Sequence, residues 1–341
     1  MQPFTNSPMR IAEINDIASV ATEIGTGLRV RGHDVGFIHP RLFGAKLPPP
    51  LKPLTAPIRA PDWLDMVLRL RRGKFDIAHI HYAYLGNLGW LARVPYILHC
   101  HGSDLRDETL LTRPLTRQAL RHAAYVFYAT PDLRQFLAAS RPDAEFLPNP
   151  IDLDRFAPTL PAGEARGVFL CSALTSIKGA EVTLEACRLL AARRPDIRFT
   201  AYAGGEFAPQ FEALPTVTLI SHQPRWKIPA IVNQHALVSG QVRVGAAGMA
   251  ELEAMACARP VITWFNQPGA YPEEPPFVSA STPAAIASEI ERLIDDAAAR
   301  SAVGAAGRDW IAKYHALDRI ASRVEAVARA IASGQPVPPP D

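Results

Sequence analysis

Short apolar runs alternate with longer stretches of helical spacing from one end of the chain to the other. "RIAEIN" (10–15) reads as a strand, and "ASVATEIGTGLRVRG" (18–32) as a helix that stops at Gly32. "DVGFIH" (34–39) is the next strand. The proline-rich stretch 47–61 argues against regular helix or central strand and predicts an extended surface loop. There follow a helix over 62–72, a strand "FDIAHIH" (75–81), a helix near 86–93 and a strand over 95–101. A helix near 108–122, a strand "AYVFYAT" (124–130), a helix over 131–140 and a strand "AEFLPN" (144–149) complete this half. Strands apolar on both faces, with helices between them, predict a parallel sheet covered by helices.

The rhythm restarts after a polar, proline-rich connection, "NPIDLDRFAPTLPAGEAR" (149–166). "GVFLCSA" (167–173), "DIRFTAYAGG", "TVTLIS", "HALVSG" and "RPVITWF" are its strands, and the helical stretch 308–334 closes it before "QPVPPPD". The chain of 341 residues suits two domains at about 150 residues each. The expected division is 1–155, 156–316, a final helix over 317–334 and a disordered tail over 335–341. In doubly wound sheets ligands sit at the carboxyl ends of the strands, so strand ends are where chemistry is sought.

Composition narrows the classes. Hydrophobic residues make up 48% and charged residues 20%, as in a globular protein with real cores. A net charge of +3 gives no reason to expect nucleic acid. Apolar runs are shorter than the ~20 residues of a membrane span, and the first residues lack the pattern of a signal peptide. The four cysteines are scattered without a CxxC pair, which fits a reducing cytoplasm. The segment "PDWLDMVLRLRRGK" (61–74) sets Trp63, Leu64, Val67 and Leu68 on an apolar side, with Arg69, Arg71, Arg72 and Lys74 beyond. It is either a helix packed on the sheet or a peripheral membrane contact.

Two strands end in histidines: His79-Ile80-His81, and His99-Cys100-His101 before Gly102-Ser103-Asp104. Alternation puts His79 with His81, and His99 with His101, on one face each. If the strands are neighbours a metal cluster is geometrically open, but it would need an outer shell that the sequence does not announce. The other reading is histidines hydrogen-bonded near a sheet edge. Cys100 points away from its histidine neighbours and belongs to the core. His101 precedes a turn and is expected to face a ligand.

The second half carries two further signals. In "SALTSIKGAEVTLEACRLL" (172–190) a lysine, Lys178, stands beside a helix start, an arrangement suited to an anion. In "GQVRVGAAGMAELEAMACARPVITW" (240–264) a small-residue loop, Gly245 to Gly248, leads into a helix near Met249. That loop allows close approach to the backbone. Glu253, behind this cradle, would repel phosphate and is expected to accept hydrogen bonds from sugar hydroxyls.

Taken in order, "LRVRGHDVGFI", "HGSD", "LPNPIDLDRFAP", "KG" (178–179) and "LEAMACARPVI" resemble the motifs of retaining glycosyltransferases of family 4. The resemblance implies an α/β fold of two Rossmann-like doubly wound domains (GT-B). The first would take the acceptor and the second the nucleotide sugar, with an interdomain cleft and a C-terminal helix crossing back to the first domain. It implies that Lys178 holds the diphosphate, Glu253 the ribose, and the amides around Gly248 and Met249 the sugar and phosphate. His101 would meet the donor sugar and act with Lys178 in catalysis. Ser172 falls on the donor side; Asn15, Ser19 and Asp104 fall on the acceptor side. No cofactor and no bound metal are implied. The partners are a UDP- or GDP-sugar donor and a carbohydrate, lipid-linked or small-molecule acceptor.

The chain departs from the family pattern at named places. Gly245 stands where the first of two glutamates is usual, and Ala173 where an arginine is usual, with Ser172 in place of glycine. Residues 15–19 lack the usual Gly-Gly pair, and "EEPPFVSAST" (273–282) resembles a branch without the first glutamate. Arg243, two residues before Gly245, is the candidate to restore the missing positive charge. The departures keep a second reading open: a catalytically degenerate GT-B protein that binds a nucleotide sugar or a partner enzyme.

Overall fold

The computed structural model describes residues 7–41, 56–107, 109–110, 112–161 and 164–340. Two compact units emerge, Met1–Pro150 with Leu317–Asp341, and Ile151–Ala316. The division falls after Pro150 rather than after Arg155. Ile151 already bridges to Ala316, its N–H donating to the His315 carbonyl at 2.7 Å. Phe156 is wholly buried in a core of the second unit.

In the first unit six parallel strands, β1 (Arg10–Ile14), β2 (Asp34–Ile38), β3 (Ile77–His81), β4 (Tyr96–Cys100), β5 (Tyr125–Tyr128) and β6 (Glu145–Phe146), lie in the order β2-β1-β3-β4-β5-β6. The helices are α1 (Val20–Val30), α2 (Ala56–Arg72), α3 (Asn87–Ala92), α4 (Ser103–Arg106), α5 (Thr112–His122) and α6 (Arg134–Leu137). The strand order reverses between β1 and β3, so the crevice at their carboxyl ends is the natural ligand position.

In the second unit β7 (Val168–Leu170), β8 (Phe199–Tyr202), β9 (Val217–Ile220), β10 (Leu237–Ser239), β11 (Val261–Thr263) and β12 (Val278–Ser279) form a second parallel sheet, ordered β12-β11-β10-β7-β8-β9. Its helices are α7 (Ala180–Arg193), α8 (Ala208–Glu212), α9 (Ile228–Asn233), α10 (Met249–Ala256), α11 (Pro283–Asp295) and α12 (Ala297–Tyr314). Here the reversal lies between β7 and β10. The last helix, α13 (Leu317–Ser333), belongs to the first unit. Both sheets are thus doubly wound and Rossmann-like.

Several elements differ from the sequence reading. Residues 47–55 lie outside the described residues, but 56–61 are helical: α2 begins at Ala56 and carries Pro61 inside it. One missing N–H is tolerated because Met66 and Leu70 farther along the helix are fully buried on the sheet. Trp63 and Val67 pack there as well; of the rest of the expected apolar side Leu68 is half-buried and Leu64, 60% exposed, remains outside. Among the described residues no helix is long and apolar enough to cross a membrane. The stretch 308–334 is two helices, broken at His315 and Ala316, where the backbone pairs with Ile151 instead. The stretch 131–140 is a 3-10 turn followed by the short α6. Residues 335–340 run irregularly, and the Pro338 carbonyl accepts from Arg323 at 2.8 Å.

α13 lies along α1. Ile320, Ala321, Val324, Val327 and Ala328 are buried, each larger side chain contributing about 1.5–3 kcal/mol. The approach is close: a Cβ on Gly27 would stand 2.6 Å from that of Ala321. Glu325 anchors the pair, meeting Arg31 at 2.5 Å, His33 at 3.0 Å and Arg329 at 2.9 Å. Burial works against its charge, yet hydrogen bonds from Arg31, His33 and Arg329 bring its pKa down to about 2. A depressed carboxylate stabilises the fold above its unfolded pKa and loses that effect as pH falls. Glu325→Gln is therefore expected to lower stability by about 1–2 kcal/mol at pH 7 after allowance for solvent. The difference from wild type should shrink as pH falls from about 4.5 to about 2, measured by urea denaturation across that window.

Candidate functional site

At the carboxyl edge of the first sheet, one face carries charge and imidazole instead of aliphatic side chains. Glu13 on β1 pairs in register with His79 on β3, and His81 with His99 on β4. All four are wholly buried. Glu13 accepts from His79 Nδ1 at 3.1 Å and from His81 Nε2 at 2.9 Å. His81 Nδ1 lies 2.8 Å from His101 Nε2. Burial above all, then the neighbouring imidazoles, push the pKa values of His99 and His101 well below the ordinary histidine value. Burial also lowers that of His81. Cys100 faces the opposite side and sits in the apolar core.

His101 is half-buried at the start of the "HGSD" turn. Asp104, expected on the acceptor side, is turned inward instead. Its carboxylate accepts from the backbone N–H groups of His101 (3.0 Å), Gly102 (2.7 Å) and Ala83 (2.9 Å), so it holds the turn in shape. Three backbone amides, two of them buried, are a stronger claim on that carboxylate than solvent. Asn15 is half-buried after β1, its Nδ2 donating to the His81 carbonyl at 3.0 Å. Asn15, Ala18 and Ser19 all adopt positive φ. The loop therefore takes left-handed turns without glycine, at a cost of about 1–3 kcal/mol each.

The second unit gathers the expected donor residues at its own reversal point. Lys178 ends a 3-10 turn before α7, and its carbonyl accepts from Val242 N at 3.0 Å, which ties the two loops together. Ser172, Ala173, Lys178 and Gly240 line one small cavity. A larger cavity, about 620 Å³, lies by Trp90, Pro95 and Tyr96. It opens at the amino end of β4, the wrong end of the sheet for this architecture.

Gly248 caps α10, whose first N–H groups have no partner within the helix. The residue that organises this corner is one the sequence did not single out. Glu251 accepts from Gly248 N (3.1 Å), Gln241 N (2.9 Å) and Ser172 Oγ (3.2 Å), joining α10 to the ends of β7 and β10. A Cβ on Gly240 would stand 2.6 Å from Glu251 Cγ, so glycine is required there. Gln241, wholly buried, supports the Gly245 loop by accepting from Arg243 N and Val244 N and donating to the carbonyls of Ala246 and Trp264.

Gly245 has φ +75. A glutamate at that position would be strained, so the loop is built for the glycine. Arg243 is exposed and pairs with Glu181 in the first turn of α7. The expectation that it serves the diphosphate would require it to leave or share this partner. Glu253 is buried and paired with Arg225, which approaches to 2.9 Å. Met249 is half-buried at the first position of α10.

Comparison with known proteins agrees with this geometry. Residues 17–155 match the model "Glycosyltransferase Family 4", and residues 165–296 match "Glycosyl transferases group 1". A GDP-mannose-dependent monoacylated alpha-(1-6)-phosphatidylinositol monomannoside mannosyltransferase of Corynebacterium glutamicum is 27% identical over 251 residues. That match covers 62% of this chain and 64% of the relative, so the chain spans less than two thirds of that protein. Among solved structures, sucrose-phosphate synthase from Thermosynechococcus elongatus superposes with a TM-score of 0.75 at 16% identity, over 96% of this chain and all of that one. Anabaena HepE in complex with UDP-glucose gives 0.71 at 14% identity, over 95% and 100% respectively. Two doubly wound parallel sheets, each matched by its own glycosyltransferase model, place the chain among the family 4-like glycosyltransferases of GT-B architecture.

Proposed function

We propose that the protein transfers a sugar from a nucleotide-diphosphate donor to an acceptor hydroxyl with retention of configuration. The observation that carries this is the convergence, at the reversal point of the second sheet, of Lys178, Ser172, the Gly240–Gly248 loop and the start of α10. Lys178 and the helix amides of Met249 and its neighbours would bind the diphosphate, without a metal at that position. In transfer the bond from the anomeric carbon to the phosphate oxygen breaks while the acceptor oxygen bonds to the same face. The departing phosphate takes the acceptor proton. Its growing charge falls to Lys178 and the amides, and His101 contributes contact with the transferred sugar. The donor is UDP- or GDP-linked, as in HepE and the mannosyltransferase. The acceptor is a carbohydrate, a lipid-linked sugar or a small molecule. The four buried cysteines, scattered without a CxxC pair, fit a cytoplasmic setting.

A panel of nucleotide sugars in thermal shift is the test. A true donor at ~100 times its dissociation constant stabilises by ~2.7 kcal/mol, and donor turnover with candidate acceptors then establishes transfer. The second reading, binding without turnover, is favoured by the loop at Gly245, which leaves no carboxylate at that position. It predicts the thermal shift without hydrolysis or transfer.

Glu253 is assigned to the ribose, held ready by Arg225. Glu253→Ala is expected to weaken the nucleotide sugar and the free nucleotide by the same factor, about tenfold or more, the worth of a charged hydrogen bond. Calorimetric titration with both ligands checks it. A loss confined to the sugar conjugate would move Glu253 away from the ribose.

A further inference from the structure

The histidine face of the first sheet does more than position His101. We propose that His79, His81 and His99 form a binding site for a borderline divalent transition ion such as zinc, with Glu13 as the carboxylate behind it.

Three observations converge. One ring nitrogen from each of the three histidines lies within 4.8 Å of the others. Both nitrogens of His99, and Nε2 of His79, have no hydrogen-bond partner among the described residues, although these side chains are wholly buried. A neutral imidazole carries one N–H and one lone pair, and leaving both unmet in the interior costs about 1–3 kcal/mol each.

The second observation is the tautomers. Glu13 accepts from His79 Nδ1 and His81 Nε2. Each acceptance puts the proton on the nitrogen facing Glu13 and leaves the opposite one, His79 Nε2 or His81 Nδ1, as a lone pair. Metal-bound histidines are typically oriented in this way by a carboxylate on the far nitrogen. The outer shell that the sequence did not announce is supplied by Glu13, which a strand read as apolar had concealed.

The third is charge. Glu13 has no exposure and both its partners are imidazoles. A buried carboxylate needs a positive partner. An imidazolium or a cation can supply it, and a cation also takes up the lone pairs of His79 and His99. The all-imidazole set selects zinc, nickel or copper over magnesium or calcium. His101 completes the surround, its Nε2 2.8 Å from His81 Nδ1. A Zn–N bond of ~2.0–2.1 Å sets tetrahedral nitrogens ~3.3 Å apart, so loading would widen the His81–His101 pair and draw the other rings inward. All of these residues belong to the first unit, and the site stands whether or not the chain transfers sugar.

The experiment uses the full chain without a polyhistidine tag. Protein equilibrated with zinc and freed of excess by gel filtration is expected to hold about one equivalent by elemental analysis. The cobalt(II) form should show the visible absorption of a four-coordinate nitrogen site. His99→Phe fills the same space without a ligand and should remove that absorption while keeping the circular dichroism of the metal-free protein. Should that variant not fold, Glu13→Gln keeps the shape and is expected to weaken cobalt binding about 10–100-fold. Overturning results are protein that keeps no zinc, cobalt absorption that survives in His99→Phe, or unchanged affinity in Glu13→Gln. Any of them would leave an imidazolium and buried water as the partners of Glu13.

Discussion

Lys178→Ala is expected to lower turnover about 10²–10³-fold, the usual cost of removing one positioned donor from developing negative charge. KM for the donor should change much less. On the proposed reading the ground-state diphosphate would be met by helix amides as well, whereas the charge that appears as the sugar leaves would fall to the ammonium. The structure gives Lys178 few substitutes. Position 173 is alanine, and Arg243 is turned to Glu181. Lys178→Arg should recover part of the rate, since it restores charge with a different reach. Steady-state kinetics on both variants with the true donor decide the matter. Turnover in the alanine variant within about threefold of wild type would remove Lys178 from the chemistry.

The strands of the first sheet were legible because parallel, doubly covered strands are continuous apolar runs, and those runs end where β1, β3, β4 and β5 end to within a residue or two. The same rule hid Glu13. One acid inside "RIAEIN" does not disturb an apolar run, and its meaning depends on strand neighbours, which lie 66 residues away at His79. Alternation did place the histidines by face; only the pairing of β3 with β4 joins them. The placing of Asp104 was hidden for a related reason. An acid after Gly-Ser can face a ligand or collect local amides, and the choice is made by Ala83, on another loop. At Pro61 a local rule met tertiary packing and lost, since the residues after it are anchored to the sheet. The partner of Arg243, Glu181, lies on α7, beyond any local pattern.

Glu251→Ala is expected to destabilise the second unit by about 3–4 kcal/mol and to abolish measurable donor binding with it. Three donors converge on this carboxylate, two of them backbone N–H groups at Gln241 and Gly248. Ser172 can rotate its hydroxyl elsewhere, but the amides cannot move without breaking β10 or α10. Each amide left unmet costs about 1–3 kcal/mol. Glu251→Gln should not rescue it. Glutamine offers one oxygen where two are used, so its NH₂ must face either Gly248 N–H or the Gln241 N–H and Ser172 pair, donor against donor. Substitution at a surface glutamate would be nearly silent by comparison, and this separates a structural carboxylate from an ordinary helix acid. Because the chain has two units, a single unfolding midpoint would mix them. Hydrogen exchange of β7, β10 and α10 reports on the second unit alone. The expected result is faster exchange in those segments, with the strands of the first sheet unchanged, in both variants. Wild-type protection in Glu251→Gln would show that Gly248 and Gln241 find other acceptors, and that Glu251 does not hold the corner together.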